Sequence, residues 1–179
     1  MAQRSSTNRA ASDEGDDVDG FAVAVIREDS KWRCSPLSSA ALLSLEAAES
    51  ELRALRSTGA LFGLLDVDDE FFVVLRPGPA GSRLLLSDAT AAIDYDIAAD
   101  VLDELNIEIP DIDPDEIDDV EPWGEGDLGV LADLGLPEPV LSVILADTEL
   151  YPDEQITMIA QRLGFAGELT AVLDHCRTE

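Results

Sequence analysis

Three apolar runs follow one another so closely that they restrict how this chain can fold. They are ALFGLLDV, EFFVVLRP and SRLLLSD, within residues 60–88. Asp68 and Asp69 alone separate the first two runs, and a short turn rich in proline and glycine, ending at Gly81, separates the last two. Parallel strands need a crossover of about a dozen residues, and neither gap has room for one. The sequence therefore predicts an antiparallel meander of three strands.

The flanking segments extend this meander into an α+β fold. Phe21–Ile26 and Lys31–Leu37 are joined by a polar turn and predict a hairpin, and Ser38–Ser57 has the apolar spacing of a helix. A second helix is predicted over Thr90–Asn106, with one apolar stripe formed by Ile93, Ile97, Val101 and Leu105. The predicted order is β-β-α-β-β-β-α, an antiparallel five-stranded sheet with helices against it. This topology is similar to that of the profilin-like class, which includes longin and roadblock domains, and such a likeness carries no function.

Composition divides the chain into four segments. Residues 1–20 have almost nothing to bury and predict a disordered tail, and 21–106 form the sheet domain. Residues 107–126 are acidic and interrupted by prolines, which is typical of a linker. Residues 127–179 contain four short helical patterns, each too short to be stable alone. We expect them to form a small helical region packed on the sheet domain.

Charge restricts the partners of this chain. The sequence has 39 Asp and Glu against 11 Lys and Arg, for a net charge of -28. From Leu84 to Gln161 there is no Lys, Arg or His, although 22 acidic residues fall in that interval. Direct binding to nucleic acid or to anionic lipid is therefore not expected. The interval is either a solvated surface or one whose positive partner is another part of the chain, a metal or a second protein.

The cysteines and the apolar runs indicate a compartment. Cys34 and Cys176 lie far apart and belong to no CxxC pattern, which argues against a disulfide framework or a structural zinc site. The first residues contain no apolar signal core, and no apolar run is long enough to cross a membrane. These features predict a cytoplasmic protein with no membrane association.

Candidate chemical motifs fail on their spacing. Asp111–Asp119 places carboxylates at alternate positions as calcium loops do, but Glu116 stands where such a loop needs glycine and Pro122 where it needs a bidentate glutamate. His175 and Cys176 are adjacent on a predicted helix and point apart, so they cannot act as base and nucleophile. No phosphate-loop, dinucleotide or nucleophile-elbow motif occurs. We predict no catalytic residue, no cofactor and no metal site.

The stretch EPWGEGDLGVLADLGLPEP, within residues 121–139, is interpreted as a structural junction. Gly124 and Gly126 would permit a turn, and Asp127 would cap a short helix that runs through Leu134. Trp123 is an apolar anchor that we expect to be buried between the linker and the sheet domain.

Five segments together resemble a known family. They are FAVAVIRED, FGLLDVDDEFFVVLRPG, LLLSDATAAIDYDIAADVLDEL, PWGEGDLGVLADLGLPE and LYPDEQITMIAQRLGF. In this order they resemble the actinobacterial family of tRNA adenosine deaminase-associated proteins, over nearly everything after Gly20. The resemblance implies a tRNA adenosine deaminase as partner and supplies no catalytic residues. The chain itself lacks the H-x-E and P-C-x-x-C motifs of a zinc deaminase.

Three functional hypotheses follow. The first is a non-enzymatic accessory or regulatory protein that binds the deaminase through its acidic surface, steering the encounter or competing with tRNA. The second is a profilin-like scaffold that forms a homodimer in another pathway, and the third is an enzyme or ligand-binding domain that uses scattered carboxylates. For the first, the predicted partner-binding residues are Asp111, Asp113, Asp115, Glu116, Asp118, Asp119 and Trp123.

Overall fold

A computed structural model describes residues 19–55, 57, 59–113, 115–116 and 119–178, with the backbone alone for 175–178. The predicted tail lies outside the described residues except for Asp19 and Gly20. Asp118 and the side chains of His175 and Cys176 lie outside them as well.

The described strands form one antiparallel sheet of six, in the order β2-β1-β3-β4-β5-β6. The strands are β1 (Gly20–Glu28), β2 (Lys31–Pro36), β3 (Ala60–Val67), β4 (Phe71–Arg76), β5 (Arg83–Leu86) and β6 (Glu125–Gly126). The α+β class and the antiparallel sheet are confirmed, whereas the predicted number of five strands is wrong. The additional strand, β6, has only two residues and lies in the predicted linker, where no alternation of apolar residues marks it. The profilin-like assignment stays a prediction.

Aspartates make the two tight turns of the sheet. Asp29 and Ser30 join β1 to β2 with φ of 54° and 66°. Asp68 and Asp69 join β3 to β4 with φ of 55° each, and the Glu70 N–H donates to the Val67 carbonyl at 2.9 Å. Left-handed backbone suits two-residue hairpin turns, and aspartate is one of the residues that tolerate it.

Five α-helices and three short 3-10 helices are described. The α-helices are α1 (Leu45–Ala54), α2 (Asp96–Glu104), α3 (Glu138–Ala146), α4 (Pro152–Leu163) and α5 (Ala166–Thr178). The 3-10 helices are Ser39–Leu42, Ala89–Ile93 and Ala132–Leu134.

Both long helices predicted in the first half of the chain are interrupted. Ser38–Ser57 divides into a 3-10 turn and α1, because the Ser44 hydroxyl caps a new helix by accepting from the Ala47 N–H at 3.2 Å. Thr90–Asn106 divides in the same way, and α2 begins only after Tyr95, which has extended backbone.

The helix predicted from Asp127 to Leu134 is also wrong. Only the single 3-10 turn forms at the end of this stretch, and it stops at Gly135 with φ of 119°. Asp127 instead accepts from the Gly129 N–H at 2.9 Å, which is a local turn rather than a helix cap. The last three predicted helices are confirmed as α3, α4 and α5.

The sheet buries both of its faces. Successive residues of a strand point to opposite faces, and in β1 Ala22 and Ala24 lie in one apolar cluster while Val23 and Val25 lie in another. The first cluster also contains residues of α1 and α2, and the second contains residues of α3, α4 and α5. The helices therefore cover the sheet in two layers, with the C-terminal helices on the face opposite α1 and α2.

Candidate functional site

The acidic segment of residues 107–126 is anchored at both ends, and its described carboxylates between residues 108 and 121 are solvent-exposed. At its start, the Ile107 N–H donates to the Leu102 carbonyl at 2.9 Å. At its end, the Trp123 carbonyl accepts from the Ala89 N–H at 2.8 Å, and β6 pairs with β5. The predicted partner-binding acids of this segment that the structure describes are all exposed: Asp111, Asp113, Asp115, Glu116 and Asp119.

These acids have no cationic partner among the described residues. The three ion pairs there join Arg33 to Glu28, Arg76 to Asp133 and Arg83 to Asp127. Local turns arrange part of the segment, with the Glu116 N–H donating to the Asp113 carbonyl and the Asp119 N–H to the Glu116 carbonyl. These carboxylates therefore form an exposed acidic surface whose charge no described cationic side chain neutralises.

Trp123 lies on the surface, contrary to the predicted burial. The residue is 39% exposed, and its indole N–H donates to Glu125 Oε2 at 3.1 Å. The prediction failed because β6 continues the sheet immediately after this residue. Trp123 is therefore held at the margin of the sheet, not enclosed between two parts of the chain.

Trp123 borders an open cleft of 330 Å³ between β6 and α3. The lining residues are Leu85, Pro122, Trp123, Gly124, Glu125, Gly126, Leu128, Ser142, Leu145 and Ala146. Of the predicted partner-binding residues that the structure describes, only Trp123 lines it. Sequence reasoning missed the contribution of α3, because nothing near the tryptophan indicates that a helix some twenty residues later packs beside it.

Two glycines allow the backbone to follow this path. Gly126 has φ of 116°, and a Cβ there would lie 2.3 Å from the Leu84 carbonyl oxygen. A Cβ on Gly124 would lie 3.2 Å from Cδ1 of Leu145. These glycines therefore allow close packing: Gly126 lets β6 approach β5, and Gly124 lets the chain approach Leu145 of α3.

Two arginines attach residues 127–135 to the sheet. The Arg76 guanidinium donates to both carboxylate oxygens of Asp133, at 2.6 and 2.9 Å, and to the Val130 carbonyl at 2.8 Å. These hydrogen bonds hold the pKa of the Asp133 carboxyl below its usual range. Arg83 Nε donates to Asp127 at 2.6 Å. The two cations that most closely precede the cation-free interval are thereby committed to ion pairs with residues inside it.

The comparisons with known proteins cover almost the whole chain. The sequence profile of a family described as "Rv3753c-like tRNA adenosine deaminase-associated protein" matches residues 20–166. The chain belongs to this family. Protein Rv3753c of Mycobacterium tuberculosis is 62% identical over 173 residues, which are 97% of this chain and 96% of that protein. No solved structure matches the chain. The residues that the profile of this Rv3753c-like family matches include those that line the Trp123 cleft and those of the acidic segment.

A second acidic feature of this Rv3753c-like protein lies beside the β3–β4 turn. Asp66, Asp69 and Asp153 line a cavity of 460 Å³. The Asp66 side chain is buried, and its Oδ1 accepts from the Asp69 N–H at 3.0 Å. Burial, together with the charges of Asp69 and Asp153, raises the pKa of the Asp66 carboxyl to about 7.

Sequence reasoning missed Asp66, although a signal was present. In ALFGLLDV, Asp66 shares its strand face with Phe62 and Leu64, which are both buried against the C-terminal helices. An acidic residue on the same strand face as core residues predicts a carboxyl group with a shifted pKa.

Metal-ligand groups, the Cys34 thiol and helix length are further features of the described part of the chain. No three His, Cys, Asp or Glu side chains there are grouped so as to hold a metal ion. Burial, with the nearby charge of Glu168, raises the pKa of the Cys34 thiol to about 12, which leaves it protonated and unreactive at neutral pH. Among the same residues, no helix has the length and apolar character that crossing a bilayer needs.

Proposed function

We propose that this protein is a non-enzymatic accessory or regulatory partner of a tRNA adenosine deaminase. In this proposal it contacts the enzyme through the acidic surface formed by Asp111, Asp113, Asp115, Glu116, Asp118 and Asp119, with Trp123 beside it. The observation that carries the proposal is the run of exposed carboxylates without a cationic partner among the described residues. The family description names the enzyme with which relatives are associated.

The physical basis is electrostatic complementarity. An enzyme that binds tRNA presents Lys and Arg to the phosphate backbone, and an acidic protein surface is attracted to the same groups. The protein would therefore speed the encounter and compete with tRNA for part of the enzyme surface. With a net charge of -28, it does not hold the tRNA itself. Its place of action is the cytoplasm, where tRNA is deaminated.

The test is direct binding to the tRNA adenosine deaminase of the same organism, measured by calorimetry at several salt concentrations. We expect an affinity that falls at least tenfold between about 50 and 200 mM salt, because exposed charges carry the contact. Failure to bind at any salt concentration would overturn the proposal.

Two variants separate the acidic surface from total charge. Amide substitution at Asp111, Asp113, Asp115, Glu116 and Asp119 is expected to weaken binding by at least tenfold. The matched control substitutes five exposed carboxylates outside the acidic segment by their amides: Asp29, Glu46, Asp94, Glu154 and Glu168. The control should bind within about threefold of the wild type, because distant exposed charges are largely screened. An equal loss of affinity in both variants would show that net charge alone, and not the position of the acidic surface, determines binding.

A further inference from the structure

The Trp123 cleft is a small recess with several apolar residues in its lining. Its volume of 330 Å³ lies at the lower end of the range of about 300–1,000 Å³ that small-molecule pockets occupy. Leu85, Leu128, Leu145 and Ala146 supply apolar lining, and Trp123 borders it while remaining 39% exposed. Tryptophan is one of the residues enriched at the energetic centres of protein interfaces.

Contacts within the protein support the walls of the cleft without a ligand. The Trp123 indole is held by Glu125, and the Trp123 carbonyl accepts from the Ala89 N–H. Its floor is the pairing of β6 with β5, and Gly124 allows Leu145 to close one side. A site with this geometry requires little ordering on binding, which lowers the entropic cost of association.

Charge specifies the chemistry of the occupant. Every residue that lines the cleft falls within the interval from Leu84 to Gln161, which contains no Lys, Arg or His. Glu121 is exposed immediately before the cleft, and Glu125 lies in its wall. Arg76 and Arg83 are committed to Asp133 and Asp127. A partner segment that inserts an apolar side chain into the cleft therefore has acidic residues of this protein close to its other side chains. This arrangement favours a partner segment that carries positive charge.

The helix beside the cleft extends the apolar surface. Val143 of α3 is 69% exposed, and it lies three positions from Ala146, which lines the cleft. Residues three apart on a helix are neighbours on its surface. A segment that places one side chain in the cleft would also cover Val143.

From these observations we propose that the Trp123 cleft binds one apolar side chain presented by a basic segment of a partner protein. This inference rests on the proposed function, because it assigns a specific contact to the partner-binding surface. The inference goes beyond the proposed function by adding an apolar contact to the electrostatic one. The free energy of binding at the cleft thus includes a hydrophobic contribution that salt does not screen.

The test uses two synthetic decapeptides rich in Lys and Arg, identical except for a central Leu or Ala. The protein carries Trp32→Phe, so that Trp123 is its one remaining tryptophan, of two in the sequence, and reports occupancy by its emission. We expect the Leu peptide to bind about tenfold more tightly than the Ala peptide and to shift the Trp123 emission to shorter wavelength. Equal affinities for the two peptides would overturn the inference.

A blocking variant and its matched control localise the effect. Ser142→Phe places a large side chain in the cleft from an exposed helix position, and we expect it to reduce the Leu preference to within about twofold. Gln161→Phe makes the same kind of change at an exposed position of α4 that does not line the cleft, and it should retain the preference. A preference unchanged by Ser142→Phe would also overturn the inference.

The deaminase itself separates this inference from the proposed function. Equal deaminase affinity for wild type and for Ser142→Phe would overturn the cleft inference while the proposed function stands. A wild-type protein that does not bind the deaminase but prefers the Leu peptide would overturn the proposed function and support the cleft.

Discussion

Arg76 and Asp133 stand 57 residues apart in the sequence and form a bidentate ion pair, with hydrogen bonds of 2.6 and 2.9 Å. The Arg76 side chain is only 17% exposed, and it also donates to the Val130 carbonyl. This pair connects β4 to the segment that leads into α3. It holds the residues between Leu128, which lines the Trp123 cleft, and α3, so its loss should lower the stability of the protein.

We expect Arg76→Ala to lower the free energy of unfolding by about 1–3 kcal/mol, because it leaves a carbonyl and a carboxylate without their donor. Urea denaturation at neutral pH measures this. Arg33→Ala serves as the control, since the Arg33–Glu28 pair spans 3.7 Å with the Arg33 side chain 63% exposed. The control should cost less than about 0.5 kcal/mol. Similar losses in both variants would contradict a structural role specific to Arg76.

Asp66 should make stability depend on pH in a defined direction. Its pKa in the folded protein is raised to about 7, above that of an unfolded aspartate, so the folded state holds more protons between the two values. Stability therefore falls as pH rises from about 4 to about 7, and the penalty is complete above the folded value. Asp66→Asn removes this dependence and should stabilise the protein at pH 8, by at most about 4 kcal/mol.

Urea denaturation of wild type and Asp66→Asn across that pH range checks the expectation. The exposed Asp103→Asn variant is the control for loss of one negative charge. A difference between wild type and Asp66→Asn that does not change with pH would contradict the raised pKa.

Gly126→Ala should destabilise the edge of the sheet. The backbone has φ of 116° there, and the new methyl group would meet the Leu84 carbonyl oxygen at 2.3 Å. We expect a loss of about 1–3 kcal/mol in thermal or urea unfolding. Gly167→Ala in α5 is the matched control, because a Cβ there meets nothing within 4 Å. The control should be neutral or stabilising by up to about 1 kcal/mol.

The fluorescence of the two tryptophans should be quenched preferentially by different ions, because the charges near them differ. In Trp32→Phe, the remaining Trp123 lies beside Glu125 in the cation-free interval, so Cs⁺ should quench its fluorescence more efficiently than I⁻ at equal ionic strength. In Trp123→Phe, the remaining Trp32 lies 5.0 Å from the Arg27 guanidinium, and I⁻ should become the more effective ion. The same ion preference in both variants would contradict the local charges described.

Short-range patterns predicted much of the fold. The spacing of the three central strand runs required antiparallel neighbours, and the Asp68–Asp69 turn and helices α3 to α5 follow from local residue types. These features depend on interactions within a few residues, which a sequence displays directly. The cation-free interval is likewise a property of the sequence alone.

Only the tertiary structure decided the features that join distant segments. The pairing of β6 with β5, the contribution of α3 to the Trp123 cleft and the exposure of Trp123 depend on contacts between segments far apart in the chain. The same holds for the Arg76–Asp133 pair and for the carboxyl of Asp66, whose surroundings include Asp153 of α4. Such contacts are set by how the two faces of the sheet are covered, and no local periodicity records which residues meet there.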